Sequence, residues 1–192
     1  MNEPHLLVIL TAPSGSGKTT IVRHLLAHHP ELAFSVSACT REPRAGEIEG
    51  RDYYFLTPDA FRKKIAEKAF AEFEMVYTEK YYGTLLSELD RIWNSGHTPL
   101  IDIDVKGALT LKSRYPGKSF TLFIQPPSLP VLEERLKARG TETPAMLTER
   151  INKALMELNF ADRFDRILVN NNLEQAKSMA DQMVKDFLNR DR

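Results

Sequence analysis

A single cysteine, Cys39, stands in 192 residues, which excludes an internal disulfide and any zinc site built from several cysteines. Tryptophan is equally scarce, with Trp93 alone. Neither sign of charge is in excess, because 26 Lys and Arg balance 26 Asp and Glu for a formal net charge of +0. Such a chain has no global field to draw it to a polyanion or an anionic bilayer, so nucleic acid and membrane are both excluded as expected partners and basic residues must act locally. No apolar run approaches the roughly 20 residues of a membrane-spanning helix. Met1-Asn2-Glu3-Pro4 places no basic region ahead of an apolar one, and the expected location is the cytoplasm. Internal repeats and low-complexity linkers are missing too, and the length suits one domain with a sizeable core and small insertions.

What is present begins with Ala12-Pro13-Ser14-Gly15-Ser16-Gly17-Lys18-Thr19, set between the apolar run His5 to Leu10 and an amphipathic stretch in which Ile21, Val22, Leu25 and Leu26 share a face. A glycine-rich turn from a buried strand into a helix lets backbone N–H groups converge on an anion, at the positive end of the helix. Lys18 supplies a mobile charge for the outer phosphates and the Thr19 hydroxyl a position on Mg²⁺, with Thr20 following in the same turn. The usual pattern has Gly where Ala12 stands, which asks only for a negative φ at that position. The expected chemistry is that of a nucleoside triphosphate.

The rest alternates strands and helices, an α/β pattern. Phe34-Ser35-Val36-Ser37 reads as extended, followed by a polar loop from Arg41 to Glu47, a strand at Tyr53-Tyr54-Phe55, a helix opened by Pro58 with Phe61, Ile65 and Ala69 on one face, and an extended Phe70 to Val76. This block departs from the alternation and reads as an insertion with its own sheet. Beyond it come a helix from Leu85 to Trp93, with Leu89 and Ile92 apolar, and a buried strand from Pro99 to Asp104 on which Asp102 and Asp104 share a face. A strand from Ser119 to Ile124, helices Leu129 to Lys137 and Met146 to Leu158, a strand Arg166 to Val169 and a closing helix Leu173 to Leu188 complete a parallel sheet of about five strands.

Arg135, Arg139 and Arg150 mark the segment between the last two strands. Singly they read as surface ion-pair partners, but beside a phosphate loop they suit a flap whose guanidinium groups stabilise a migrating phosphoryl group. His24 and His28, four apart on the first helix, have no cysteine or carboxylate ligand set beside them for zinc.

Ser35-Val36-Ser37, Thr40-Arg41, Pro43-Arg44, Gly46-Glu47, Gly50 and Asp52-Tyr53 resemble the nucleotide-monophosphate signature of guanylate kinases. Tyr81-Tyr82-Gly83-Thr84, Asp102-Ile103-Asp104, Pro126-Pro127-Ser128, Arg135-Leu136, Arg139-Gly140-Thr141 and Val169-Asn170 match in the same order, so the resemblance covers nearly the whole chain. It implies a P-loop kinase fold: a parallel sheet flanked by helices as the core (1–33, 85–125 and 153–192), a small mixed α/β GMP-binding insertion (34–84) and a helical lid (126–152). The implied reaction converts ATP and GMP into ADP and GDP, with Mg²⁺ as cofactor.

Residue by residue, the resemblance assigns ATP binding to Ala12, Pro13, Ser14, Gly15, Ser16, Gly17, Lys18, Thr19 and Thr20, with Arg135 and Asn170 near the adenine. Lys18, Arg139 and Arg150 match the groups on the transferring phosphoryl. Arg41, Arg44, Tyr53 and Tyr82 match the grip on the acceptor phosphate, where guanidinium groups give forked charged donors and phenols short neutral ones. Ser37, Glu72 and Thr84 match the guanine pocket. A carboxylate at Glu72 accepts from N1–H and N2–H₂ of guanine, whereas adenine has no donor there and would leave it unpaired. Thr19 and Asp102 match the metal site, and Asp104 a brace of the acceptor site.

Three residues depart from the family pattern: Cys39 for Thr, Phe73 where Trp is commoner, and Lys106 for Gln, a cation that could pair with Asp104. In an extended segment Cys39 would share a side with Ser37 and Arg41, where the nearby guanidinium would favour a reactive thiolate and burial would oppose it, the alternative being an inert thiol that fills a small apolar space. A GTPase would need Asn-Lys-x-Asp, which Asn152-Lys153-Ala154-Leu155 fails at its last position. Peptide-binding scaffold domains of this family typically have a degraded ATP site, unlike the intact Lys18, Thr19 and lid arginines. A related P-loop kinase acting on another phosphorylated acceptor would not need Glu72 and Thr84.

Overall fold

The computed structural model describes residues 5–77, 80–138 and 144–190. Strand β1 (Leu7–Thr11) is buried along its whole length, as expected for a central parallel strand covered on both faces. Its side chains alternate. Val8 and Leu10 enter a core with Ile21, Leu25, Ala180 and Val184, whereas Leu7 and Ile9 pack with Leu89, Ala108 and Leu111 on the other face. The phosphate loop leads from β1 into α1 (Lys18–His28). Strand β2 (Leu32–Phe34) follows and pairs with a later strand of the same sheet.

The chain then builds a second sheet from β3 (Ala38–Cys39), β4 (Tyr54–Phe55), β5 (Phe70–Tyr77) and β6 (Lys80–Leu85), with α2 (Pro58–Ala66) between β4 and β5. Its order is β4-β3-β6-β5, with only β3 and β4 parallel. Helix α2 starts from a Thr57 cap that accepts from the Ala60 N–H, and has Pro58 in its first turn. It closes this sheet with Phe61, which stacks on Phe70 and Tyr81 at 4.4 and 5.3 Å.

The main sheet resumes through α3 (Leu86–Asn94), β7 (Thr98–Asp102), α4 (Val105–Arg114) and β8 (Ser119–Gln125). Helices α5 (Leu129–Lys137) and α6 (Pro144–Leu158) share a small core of Leu132, Leu136 and Ala154. A 3-10 turn at Ala161–Arg163, strand β9 (Arg166–Val169) and helix α7 (Leu173–Leu188) end the fold. The five strands run in the order β2-β7-β1-β8-β9, all parallel, as the alternating pattern implied. The loops after β1, β7, β8 and β9 therefore lie at one end, where open α/β sheets bind ligands.

Four details differ from the sequence expectation. Phe34 belongs to the main sheet, opposite Leu100, rather than to a strand of the insertion. Helix α2 ends at Ala66, before Ala69, as the chain turns through Lys68 at a φ of 54°. Strand β7 ends at Asp102, so Asp104 does not share a strand face with it. Asp104 instead caps α4, accepting from the Gly107 N–H at 2.8 Å. Helix α4 itself has no counterpart among the predicted elements. It joins the sheets: Arg114 donates to the carbonyls of Phe70 and Ala71 on β5 at 3.0 and 2.9 Å.

Candidate active site

The phosphate loop is held from below. Gly15 and Gly17 have φ of 89° and 92°, values that side chains strongly disfavour. A Cβ on Gly17 would also fall 2.4 Å from the Asn170 amide nitrogen. That nitrogen donates to the Ser16 carbonyl at 2.8 Å, and the Asn170 carbonyl accepts from Arg135 at 3.0 Å. Asn170 is 3% exposed, so the free protein uses it as a brace under the loop that ties β9 and α5 to it. Above the loop, Arg150 of α6 donates to the Ser14 hydroxyl at 3.2 Å. Lys18 opens α1, pairs with Asp102 and donates to the Ile103 carbonyl. Thr19 and Thr20 lie exposed in the same turn.

A cleft of about 360 Å³ joins this loop to the second sheet, with Lys18, Thr19 and Asp102 on one wall and Ser37, Tyr53, Glu72 and Tyr82 on the other. Arg41 is presented by a local clamp. Both terminal nitrogens donate to Glu47 at 2.6 Å, and the guanidinium lies 4.7 Å from the Tyr53 ring centre. This fork holds Glu47 at a pKa of about 2, assisted by the Arg44 N–H, and raises that of Arg41. The Arg44 side chain is exposed. Tyr53 and Tyr82 meet edge to face at 6.1 Å. Burial raises both phenols, keeping them protonated donors.

Glu72 is 6% exposed. Thr84, fully buried beneath it, donates to the carboxylate at 2.7 Å. Burial pushes the Glu72 pKa from the usual 4.5 to about 7, with the negative charge of Asp104 adding to the rise and the Thr84 hydroxyl opposing it. Cys39 is entirely buried in β3, not presented on an accessible face, and burial raises its thiol despite the nearby guanidinium. Lys106 is exposed and makes no ion pair with Asp104.

The structure thus brings Lys18, Thr19, Asp102, Ser37, Tyr53, Glu72, Tyr82 and Asp104 to one cleft. Thr84 stands behind it, and Arg41 beside it against Tyr53. Arg139 lies outside the described residues. Two groups at the site were missed in the sequence: Lys153 lines the cleft, and Glu157 behind it has its pKa raised by burial against the opposing charges of Lys153 and Lys18. They follow Arg150 at steps of three and four along α6, a spacing that puts all three on one helix face.

A strand-loop-helix phosphate cradle at the carboxyl end of a parallel sheet, faced across a cleft by arginine, phenols and a buried carboxylate, defines a P-loop phosphotransferase. The Guanylate kinase family model matches residues 5–187. The guanylate kinase of Bacteroides fragilis is 46% identical over 182 residues, spanning 95% of this chain and 89% of that one. That of Chlorobium chlorochromatii is likewise 46% identical, with 95% of each chain covered. The crystal structure of guanylate kinase from Anaplasma phagocytophilum has the same fold, with a TM-score of 0.72 at 24% identity over 94% of this chain and 84% of that one. This chain belongs to the guanylate kinase family.

Proposed function

We propose that this enzyme transfers the γ-phosphoryl group of ATP to the phosphate of GMP, giving ADP and GDP. The observation that carries this reading is the buried carboxylate of Glu72, backed by Thr84, in the same cleft as Lys18 of the phosphate loop. In ionised form it is a paired acceptor for the two donors on the guanine edge. For adenine it would be a desolvated charge with no donor on the base to meet it.

A GMP phosphate oxygen forms the new bond to the γ-phosphorus as the bond to the β–γ bridging oxygen breaks, the electron pair leaving on ADP. The protein's part is positioning and charge stabilisation. The loop N–H groups and the N-terminus of α1 hold the donor phosphates, and Lys18 leaves Asp102 and Ile103 to reach the outer ones. Arg41, Arg44, Tyr53 and Tyr82 hold the acceptor phosphate, with Arg41 already aligned by Glu47. Arg150, in contact with Ser14 at the loop, reaches the migrating group, and Arg139 is assigned the same task. Arg135 and Asn170 border the adenine.

Thr19 and Asp102 present a hydroxyl and a carboxylate to the cleft, hard oxygen donors of the kind that would hold Mg²⁺. Bound there, the ion neutralises charge on the outer phosphates. Residues 35–84 and 126–152 act as units that close over a core of 1–34, 85–125 and 153–192, Phe34 belonging to the main sheet. Its partners are GMP and ATP rather than nucleic acid or a membrane, and the enzyme acts in the cytoplasm. Among the described residues no helix is long and apolar enough to cross a membrane.

A coupled ADP-release assay with GMP, AMP, CMP and UMP as acceptors tests the reading. GMP should exceed the others in kcat/KM by at least about 10³-fold, the scale on which a site rejects a ligand that leaves its buried polar groups unpaired. Comparable turnover of AMP would refute it.

A further inference from the structure

Eight glycines lie among the described residues, and six of them have φ between 72° and 92°, where a side chain is strained. Gly83 and Gly107 do not. Neither has the positive φ that disfavours a side chain, so their reason for being glycine is space, and in both cases the nearest group in that space belongs to Glu72. A Cβ on Gly83 would fall 2.8 Å from the Glu72 carbonyl oxygen and 2.9 Å from Phe70 and Phe73. A Cβ on Gly107 would fall 2.6 Å from the Glu72 carboxylate oxygen Oε2 and 3.2 Å from its Cδ.

Gly107 is the more telling of the two, because local preference opposes it. It is the third residue of α4, after the Asp104 cap, where glycine is the least favoured residue apart from proline. The helix tolerates it against the back of the carboxylate that faces the cleft. Gly107 has no functional group and is buried, so whatever it does must pass through its neighbours. Thr84 fixes one carboxylate oxygen of Glu72 from below, and the bare first turn of α4 receives the other.

We infer that Gly107 is a positioning residue for acceptor specificity: the absence of a side chain in the first turn of α4 leaves the slot in which the Glu72 carboxylate is held at the angle that meets the guanine edge. This rests on Glu72 reading the base. Any larger residue at 107 displaces the carboxylate, and a small displacement of a paired acceptor is costly because both hydrogen bonds lengthen together.

The test is a cycle of four full-length proteins: the parent, Gly107→Ala, Glu72→Ala and the double variant, compared in steady-state kinetics and thermal melting. Gly107→Ala alone should raise KM for GMP between about 10- and 100-fold, with KM for ATP unchanged and the preference for GMP over AMP reduced. In the Glu72→Ala background the same substitution should change KM for GMP less than about twofold, because the carboxylate is gone and the methyl group meets only the flexible end of Ile103, Cδ1 at 3.3 Å. Melting gives a readout independent of activity. Gly107→Ala should lower Tm in the parent by clearly more than in the Glu72→Ala background, where the helix preference for alanine is opposed only by the Ile103 contact.

Equal effects of Gly107→Ala in both backgrounds, on KM or on Tm, would overturn the inference and make Gly107 a residue of α4 alone. So would an unchanged KM for GMP in the single variant. If Glu72→Ala itself leaves KM for GMP and the acceptor preference intact, the base-reading role fails and the inference falls with it, whereas a strong Glu72→Ala effect with additive Gly107→Ala removes only the inference.

Discussion

Glu72 has two opposed demands on it. The proposed pairing with guanine requires it to be ionised, yet its burial in the free protein pushes its pKa to about 7. An unfolded chain ionises this residue near 4.5, so between roughly pH 4.5 and 7 the unfolded state binds fewer protons than the folded one, and this group's contribution to stability falls as pH rises. A difference of that size corresponds to about 3 kcal/mol. Glu72→Gln should therefore stabilise the free protein by about 1–3 kcal/mol at pH 8 and by little at pH 4.5, read from urea unfolding at the two values. The same variant should lose GMP affinity by tenfold or more, about 1.5–3 kcal/mol for a charged hydrogen bond. Equal stability of parent and variant at pH 8 would mean that the carboxylate is not destabilised by burial.

At the same scale, Cys39 shows where reasoning from alternation stops. Its alignment with Ser37 and Arg41 leaves an activated thiol and an inert buried one both open, and the fold decides for the second: β3 is an inner strand, flanked by β4 and β6, and the side chain is fully covered. A buried thiol raised by desolvation is inert. Native enzyme should resist maleimide over hours and react promptly in denaturant, followed by intact mass. Rapid native labelling that GMP prevents would restore the accessible-thiol reading.

Among the elements, those with strong periodic patterns and punctuation were legible. The phosphate loop, α5, β9 and α7 fall where Gly, Pro and the apolar spacing indicated. Helix α4 was not, although Asp104 is a good cap and Val105, Ala108 and Leu111 are its buried positions. Gly107 in the first turn weakens its local signal, and the packing of β5 against α4 that explains the glycine is a long-range fact that no local window contains. That Ser37, Tyr53, Glu72 and Tyr82 share one cleft was foreseeable from the family resemblance. The bracing of Asn170, the Glu47 clamp and the α6 face bearing Lys153 and Glu157 needed coordinates, because each depends on how distant segments meet.

Asp104 belongs to both descriptions, as cap of α4 and as a negative charge near Glu72. Asp104→Asn keeps a good capping side chain, so stability should change by only a few tenths of a kcal/mol. It removes the charge that helps raise Glu72, so the acidic limb of kcat/KM for GMP should move to lower pH. Glu72→Gln provides the control, since its profile retains only the titration of the GMP phosphate, near pH 6. An unmoved limb in Asp104→Asn would assign the rise of Glu72 to burial alone.

Across the whole molecule, the proposed chemistry calls for parts to move. The cleft between the phosphate loop and the second sheet is open enough to hold about 360 Å³, Lys18 is engaged with Asp102, and the α5–α6 pair touches the loop through Arg150 and Ser14. Two anionic substrates must be brought into line with water excluded, because in water the same charges would stabilise the migrating phosphoryl group far less. The loops joining the second sheet and the α5–α6 pair to the main sheet are the places that can absorb such a rotation without disturbing the two large cores, which lie on either face of the five strands. Closure should therefore need both substrates. Small-angle scattering of the free enzyme, of enzyme with GMP, and of enzyme with a linked ATP–GMP analogue should show the smallest radius of gyration in the last, with an intermediate value for GMP alone if the second sheet closes first. Identical radii in all three would mean that the catalytic arrangement is already assembled in the free protein.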